Sequence, residues 1–198
     1  TLLRIEGGSL EEQTRDQAPK GTSISVRNLF FNTPARRQFM KSDQTEYRHI
    51  ADTVQRYILS HPNVHFTFIS DGSAVYDIPA EPLPRRVKNL FGDKMASSLI
   101  EVNEETDVLT ISGFIGRPNF AKKSRGDQYL FVNGRYITSR YLNHAIVKTY
   151  ENMIEAGEYP MYIIFLNVNP REVDVNVHPS KLEVKFSNEK NIYTILST

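Results

Sequence analysis

The chain of 198 residues lacks several features, and each absence excludes a class of structure or chemistry. There is no cysteine, which excludes disulfides, thiolate metal ligands and a cysteine nucleophile, and suits a reducing compartment. Because no run of about eighteen apolar residues occurs, we expect no membrane-spanning helix and no membrane partner. We also expect no secretory signal, because the sequence has no basic and then apolar leader with a small-residue cleavage site.

A strong net charge is missing as well, but the charges are unevenly distributed along the chain. The formal net charge is +1. Residues 117–148 nevertheless contain seven lysines or arginines and one acidic residue, Asp127, while acidic residues before and after this segment compensate for it. A nearly neutral chain with such a block can still carry one basic face, although a solvated surface is the ordinary alternative.

Polar and apolar alternation, helical periodicity and turn signals predict the elements of the first sixty residues. In chain order these are one or two strands in residues 1–20, a strand at 22–27, a short helix opening at Thr33-Pro34, and a long helix from Asp43 to Ser60. Thr33 suits the helix cap, and Pro34 suits the first helical position, where the missing N–H is not needed. His61-Pro62-Asn63 ends the long helix, and we predict a domain boundary there, separating residues 1–60 from residues 61–198.

The second part of the sequence alternates strands with helices. We predict strands at 64–69, 75–78, 99–102, 108–115, 128–132, 135–137 and 162–168, a helix at 84–91, a long helix from Ser139 to Gly157, two strands around Lys181, and a last helix from Asn188. Asp71-Gly72 and Asn133-Gly134 predict tight hairpin turns, and Met153 is expected on the inward face of the long helix. The alternation predicts an α+β fold, an α/β sandwich in which helices cover a mixed sheet.

A stiff loop with a lysine at its tip is the most informative feature near the C-terminus. Apolar residues alternate with polar ones on both sides of His178-Pro179-Ser180, which breaks the pattern and leaves Lys181 in the connection. Proline restricts both itself and the residue before it, so the loop is expected to be stiff. Such a loop suits contact with an anion outside its own domain, although a solvated lysine is the common alternative. On the polar face leading to the loop, Asn176 and His178 either support it or are ordinary surface residues.

Three stretches resemble the MutL family of DNA mismatch-repair ATPases in order and spacing across nearly the whole chain. They are residues 21–41, which include Gly21-Thr22 and Asn32-Thr33-Pro34-Ala35-Arg36, then Phe131-Val132-Asn133-Gly134-Arg135, and then residues 174–186 with His178-Pro179-Ser180-Lys181. The family belongs to the GHKL ATPases. The resemblance implies that residues 1–60 are the last part of a GHKL ATPase sandwich. It also implies that residues 61–198 form a transducer domain, a ribosomal-protein-like βαβ fold with a left-handed crossover.

Most of the GHKL nucleotide site has no counterpart in this sequence. The superfamily holds Mg and activates water with a Glu and an Asn on one helix, binds adenine through an Asp in a DxGxG stretch, and covers the phosphates with a glycine-rich lid. By the family's order these motifs would precede Thr1, so we expect the chain to be a piece of a longer protein. The resemblance implies ATP and Mg in a full-length protein that hydrolyses ATP slowly. We expect neither cofactor on this fragment, which is predicted to be inactive alone.

The resemblance also implies nucleotide contacts for individual residues. Gly21 and Thr22 match the family's last nucleotide-binding motif, in which the threonine hydroxyl helps to hold adenine, although Gly-Thr opening a strand is common. Lys181 matches the lysine that reaches the γ-phosphate and takes part in catalysis. A charge-assisted hydrogen bond of this kind contributes about 1.5–3 kcal/mol. Because ADP lacks this phosphate, the contact would make the angle between the domains depend on the bound nucleotide.

The basic segment is the candidate DNA-binding region. Arg140, His144 and Lys148 recur every four residues and make one polar stripe, with Arg135 at the preceding turn. The resemblance implies a transducer domain lining a DNA channel and implicates the arginine after Asn-Gly. The candidate DNA-binding residues are Arg135, Arg140, Lys148, Lys122, Lys123 and Arg125. We expect phosphate-directed, sequence-independent binding by a stripe that lies away from the Lys181 loop, a solvated helix face being the alternative.

The resemblance also implies the partners of the whole protein. These are DNA, a MutS-type mismatch-recognition protein, and a second copy bound through the ATPase region when ATP is present. In a bacterium the protein would be cytoplasmic and associated with the nucleoid during repair. Two alternatives are the transducer domain of a type II topoisomerase and a module that only contacts DNA. The residues at 32–36 and 178–181 favour the repair family over the topoisomerases.

Overall fold

The computed structural model describes residues 2–6, 9–15, 17 and 19–198. The chain divides into two compact units, Thr1–Glu46 and Tyr47–Thr198. This division falls inside the long helix, α2 (Asp43–Ser60), whereas the sequence predicts a domain boundary at its end, which stays a prediction. In the described part of the chain, no helix is both long and apolar enough to cross a lipid bilayer.

The first unit contains one antiparallel strand pair and one short helix. Strands β1 (Leu2–Glu6) and β2 (Ser9–Thr14) pair with a register shift between Arg4 and Ile5. Helix α1 (Pro34–Gln38) begins with proline, as predicted. The Thr33 carbonyl accepts a hydrogen bond from the Arg36 N–H at 3.0 Å, but the Thr33 side chain makes no capping bond. The predicted start of this helix is therefore confirmed with Thr33 as its N-cap residue, although the cap uses the Thr33 carbonyl and not its hydroxyl.

The strand predicted at 22–27 does not form. These residues are irregular, and no strand of the described part of the chain pairs with them. Ile24 and Val26 are 82 % and 73 % exposed. Alternating polar and apolar residues would give a strand one apolar face. A stable strand also needs a neighbouring strand to pair its backbone groups and a core against which that face can pack. Neither surrounds residues 22–27 among the described residues of this unit.

The second unit contains the remaining elements. In chain order after α2 these are β3 (Phe66–Ser70), β4 (Ser73–Ile78), α3 (Leu83–Phe91), α4 (Asp93–Ala96), β5 (Leu99–Glu105), β6 (Leu109–Gly116), β7 (Gln128–Val132), β8 (Arg135–Ile137), α5 (Arg140–Lys148), β9 (Tyr162–Val168), β10 (Val173–Asp174), β11 (Lys185–Phe186) and α6 (Glu189–Leu196). The predicted strands at 128–132, 135–137 and 162–168 are confirmed residue by residue. The Ser139 cap is also confirmed, because its hydroxyl accepts the Leu142 N–H at 3.1 Å.

Helices cover both faces of a five-stranded mixed sheet with strand order β5-β6-β9-β7-β8. Strands β7 and β9 are parallel, and the other neighbours are antiparallel. Alternate residues of β7 face opposite sides: Leu130 packs in the cluster that contains α5 and α6 residues, and Phe131 packs in the cluster that contains the end of α2 and α3. This arrangement confirms the predicted α+β sandwich.

Two predicted elements are shorter in the structure. Helix α5 ends at Lys148 instead of reaching Gly157, and Met153 is 55 % exposed rather than inward. The Thr149 hydroxyl bonds to the Ile146 carbonyl at 2.7 Å, a local bond that competes with helical pairing. Tyr150 then turns inward, its hydroxyl donates to the Gly116 carbonyl at 2.8 Å, and burial raises the pKa of Tyr150 to about 12.

The two strands predicted around Lys181 are shorter in the structure, where β10 and β11 have two residues each. The intervening residues 175–184 satisfy backbone groups through local turns and through Thr138, instead of through a longer ladder.

Candidate functional site

The Lys181 loop is held in one conformation by bonds within itself. The Asp174 carboxylate accepts the Asn176 N–H at 2.8 Å, and the His178 carbonyl accepts the Lys181 N–H at 2.9 Å. The His178 Nδ1 lies 2.7 Å from the Ser180 hydroxyl oxygen. Lys181 itself has a left-handed backbone, with φ of 58°. The predicted connection is therefore a compact turn with an exposed lysine.

The lysine side chain is oriented by Asn176. Its Nζ donates to Asn176 Oδ1 at 2.5 Å, which uses one of the three ammonium donors and leaves two for another acceptor. On the C-terminal side of the lysine, the Thr138 N–H donates to the Leu182 carbonyl at 2.7 Å. Of the two alternatives for Asn176 and His178, the structure therefore shows the supporting contacts.

Lys181 lines a cavity of about 500 Å³ in the second unit. Its walls come from α2 and the residue after it, from the β7–β8 turn, and from the lysine loop. The lining residues are Thr53, Arg56, Tyr57, Ser60, His61, Asn133, Gly134, Arg135, Tyr136, Ser180, Lys181 and Leu182. Three of them are cationic, Arg56, Arg135 and Lys181, and none of these described lining residues is a carboxylate. Such a cavity favours an anion.

The β7–β8 turn presents Arg135 from a rigid frame. Asn133 and Gly134 have φ of 49° and 78°, as a tight hairpin turn of this type requires. The Asn133 N–H donates to the Leu166 carbonyl, and its side-chain oxygen accepts the Val168 N–H, both at 2.9 Å. The turn is therefore fastened to β9 at the point where Arg135 follows it.

Arg56 of helix α2 makes a cation–π contact within the second unit. The guanidinium carbon of Arg56 lies 4.1 Å from the ring centroid of Tyr136 on β8. A cation–π contact of this kind involves the ring face and uses none of the guanidinium N–H groups as hydrogen-bond donors. The sequence did not indicate Arg56, because a single arginine on a predicted helix carries no motif.

Arg86 on α3 fixes the segment that follows α2. It is fully buried at 0 % exposure and donates to the carbonyls of Ile58, His61, Pro62, Val64 and Pro79 at 2.6 to 3.1 Å. Burial lowers the pKa of Arg86. His61 lines the cavity, so the bond from Arg86 to the His61 carbonyl fixes one cavity wall, although Arg86 itself is not a lining residue. The sequence does carry a signal for the burial of Arg86, since its helical position lies on the apolar face with Leu83, Val87 and Leu90.

The family follows from comparison with known proteins. A family model described as DNA mismatch repair protein, C-terminal domain, matches residues 87–198, which is more than half of the chain. The chain belongs to the MutL family of DNA mismatch-repair proteins. It is 46 % identical over 198 residues to DNA mismatch repair protein MutL of Christiangramia forsetii, covering 100 % of the chain and 32 % of that relative. The corresponding protein of Flavobacterium psychrophilum is 48 % identical over 196 residues, covering 99 % and 32 %.

Solved structures agree with this assignment. The ADP complex of the Aquifex aeolicus MutL ATPase domain superposes with a TM-score of 0.65 at 27 % identity, covering 85 % of this chain and 61 % of that one. The N-terminal domain of a DNA repair protein superposes with a TM-score of 0.72 and covers 85 % and 56 %. This second structure is only 20 % identical to the chain in sequence, so the likeness supports the fold alone. The chain spans about a third of the length of the curated relatives it matches.

The structure places the basic residues of this chain in different parts of the second unit. Arg135 shares the Lys181 cavity, so the expectation that it belongs to a stripe away from that loop is wrong. Lys148 instead lines another cavity, of about 390 Å³, with Glu151, Glu155 and Glu158. Arg140 is exposed at the start of α5.

Two of the three cationic side chains in the loop before β7 contact nearby residues of the same unit. Lys122 pairs with Asp127 at 2.5 Å. Arg125 lies 4.6 Å from the ring centroid of Tyr159 and donates to its hydroxyl at 2.9 Å. Lys123 is exposed. These contacts make Lys122 and Arg125 loop supports as well as candidate DNA-binding residues.

The remaining predicted nucleotide residues lie in the first unit. Gly21 and Thr22 are exposed in an irregular segment, and Gly21 has φ of 149°. Their predicted role in holding adenine stays a prediction.

Proposed function

We propose that this chain is the nucleotide-sensing and DNA-contacting part of an ATP-dependent mismatch-repair protein. The observation that supports this most directly is the placement of Lys181 on a braced, exposed loop, where a cation with two free donors can meet a phosphate. The family assignment favours this function over that of a topoisomerase transducer domain. A protein that couples nucleotide state to shape needs such a contact to differ between ATP and ADP.

Four residues carry the proposed mechanism. Lys181 donates to the terminal phosphate of ATP, Thr22 supports the adenine side with Gly21, and Arg135 contacts DNA phosphates. Mg²⁺, when bound by the whole protein, would supply positive charge to neutralise the phosphates. Loss of the terminal phosphate removes the Lys181 contact and releases the second unit. The Aquifex aeolicus relative was solved with ADP, which supports nucleotide use in the family.

The proposed partners follow from this role. DNA is bound through phosphates without sequence preference, a MutS-type protein reports the mismatch, and a second copy joins through the ATPase region when ATP is bound. The protein acts in the bacterial cytoplasm at the nucleoid.

The chain of 198 residues alone is expected neither to hydrolyse ATP nor to bind it with micromolar affinity. Lys181 and Thr22 supply single contacts, whereas tight nucleotide binding needs an adenine pocket, metal ligands and a phosphate lid together. Calorimetric titration with a non-hydrolysable ATP analogue and Mg²⁺ measures this directly. Saturable micromolar binding would show that the chain contains a complete nucleotide site.

Reversing charge at Arg135 and Arg140 together in the full-length protein should weaken binding to matched and mismatched duplexes alike. Each phosphate contact that is lost makes the slope of log K against log salt concentration shallower by about 0.9. Fluorescence anisotropy over a salt series gives the slope. Arg85→Glu together with Lys94→Glu is the control, because both residues are exposed outside the basic segment and the pair changes the net charge equally. An unchanged slope in the double variant would make these arginines ordinary solvated residues.

The two single variants are expected to differ in their effect on ATP hydrolysis. Because Arg135 lines the Lys181 cavity and Arg140 does not, Arg135→Glu should also alter ATP hydrolysis without DNA, whereas Arg140→Glu should leave it unchanged.

A further inference from the structure

We infer that the outer edge of strand β5, together with the apolar cavity beside it, binds an extended basic segment of another protein by strand addition. The segment pairs its backbone with β5, places alternate apolar side chains in the cavity, and directs basic side chains to the carboxylates on the other face. This surface includes none of the residues to which a nucleotide or DNA contact is assigned above, so the inference goes beyond the proposed function.

The first argument is the open edge of the sheet. Strand β5 stands at the end of the strand order, and among the described strands it pairs with β6 only. Its pairing runs without a register shift from Leu99 opposite Gly116 to Glu105 opposite Thr110, and neither a bulge nor a proline interrupts it. Such an edge presents a row of unpaired backbone N–H and C=O groups, to which a further strand can be added.

The second argument is the cavity beside this edge. It has a volume of about 670 Å³, and its walls, which come mainly from β5, β6, α5 and α6, are largely aliphatic. Ile100 lines it and is 41 % exposed, so the cavity opens to solvent at the edge strand. Ile100, Val102 and Glu104 alternate along β5 and share the face that lines the cavity. In an added strand, the side chains opposite Ile100 and Val102 lie on this same face, where apolar groups can enter the cavity.

The third argument is the charge of the strand, which decides the kind of partner. Residues 95–116 contain four acidic residues and no lysine, arginine or histidine. The four are Glu101, Glu104, Glu105 and Asp107, and none of them forms an ion pair within the part of the chain that the structure describes. Charges on an edge keep neutral and acidic strands away, whereas lysine or arginine opposite a glutamate gives a favourable cross-strand pair. The carboxylates therefore select a basic strand.

The test uses a synthetic peptide as long as β5, in which valine alternates with lysine, and the full-length protein. Hydrogen exchange measured by mass spectrometry should show new protection in β5, whose outward amides become paired. Strand β8, at the other end of the sheet, should show none. A peptide of the same composition with all its valines before all its lysines has equal charge but no apolar strand face. By fluorescence anisotropy it should bind roughly tenfold more weakly, because fewer apolar side chains reach the cavity.

Two variants test the two parts of the site separately. Glu101→Gln together with Glu105→Gln should weaken binding of the alternating peptide roughly two- to thirtyfold, the equivalent of two cross-strand charge pairs. Ile100→Thr keeps a β-branched residue in the strand and should weaken binding roughly three- to tenfold, because it removes apolar contact. Glu151→Gln together with Glu155→Gln is the matched control. Both of these residues line a different cavity, and the pair changes the net charge equally, so the affinity should stay unchanged.

Four results would overturn the inference. They are equal affinity for the two peptides, protection of β8 instead of β5, full affinity in both β5 variants, and binding by the 198-residue chain but not by the full-length protein. The last result would mean that the same protein fills its own cavity. Circular dichroism of each variant separates a loss of affinity from a loss of structure. No measurement uses nucleotide or DNA, so the outcome is independent of the proposed function.

Discussion

Replacing Arg86 with methionine is expected to lower the free energy of unfolding by about 3 kcal/mol or more. Methionine has a similar length and an apolar stem, so it leaves the volume nearly filled. The loss comes from five carbonyl groups that accept from the guanidinium at 2.6 to 3.1 Å and would be left without this donor. Urea denaturation of the 198-residue chain, followed by far-ultraviolet circular dichroism, measures the difference.

Arg85→Met is the matched control for this measurement. Arg85 is the preceding residue of α3 and is exposed, so its replacement should change the free energy of unfolding by less than about 0.5 kcal/mol. Equal stabilities of the two variants would mean that the segment after α2 holds its conformation without Arg86.

Replacing Lys181 with alanine in the full-length protein is expected to weaken the binding of ATP but not the binding of ADP. Affinity for a non-hydrolysable ATP analogue should fall roughly tenfold to a hundredfold, the equivalent of one charge-assisted hydrogen bond. Affinity for ADP should stay nearly unchanged, because Lys181 is proposed to contact the terminal phosphate only. Hydrolysis and ATP-dependent closure should both be impaired. Calorimetry gives the two affinities, steady-state assays give hydrolysis, and small-angle scattering gives closure.

Lys185→Ala is the control for this variant. Lys185 is exposed on β11, four residues along the same segment, and its loss removes one positive charge without touching the cavity lining. Folding should hardly change in either variant, because both lysines are exposed. Equal losses of ADP and ATP-analogue binding in Lys181→Ala would instead indicate a contact on the adenine side or a structural role.

Local signals in the sequence were enough for the elements around the site. Strand β9 is an almost unbroken apolar run, and β7 ends at an Asn-Gly pair, so both were predicted to the residue. Ser139 was recognised as a cap because its side chain bonds within its own helix. Each of these features depends on neighbours in the sequence.

The errors concern features that depend on distant residues. At 22–27 the alternation indicated an apolar face but not the absence of a pairing strand in the described unit. The end of α5 was misplaced because Tyr150 is drawn to the Gly116 carbonyl on β6. Arg56 was missed for the same reason, since its contact with Tyr136 on β8 arises only in the folded chain. Arg86 was missed although its place on the apolar face of α3 could have indicated its burial.

The bond between Thr138 and Leu182 places the lysine loop beside the last strand of the sheet. Strand β8 ends the strand order, so no other strand of the described residues pairs with its outer side. Exposed edges of this kind recruit strands from other molecules and lead to aggregation. The loop, through the 2.7 Å bond to the Leu182 carbonyl, occupies part of that edge. The same loop that carries Lys181 therefore also covers a place where a strand of another molecule could add.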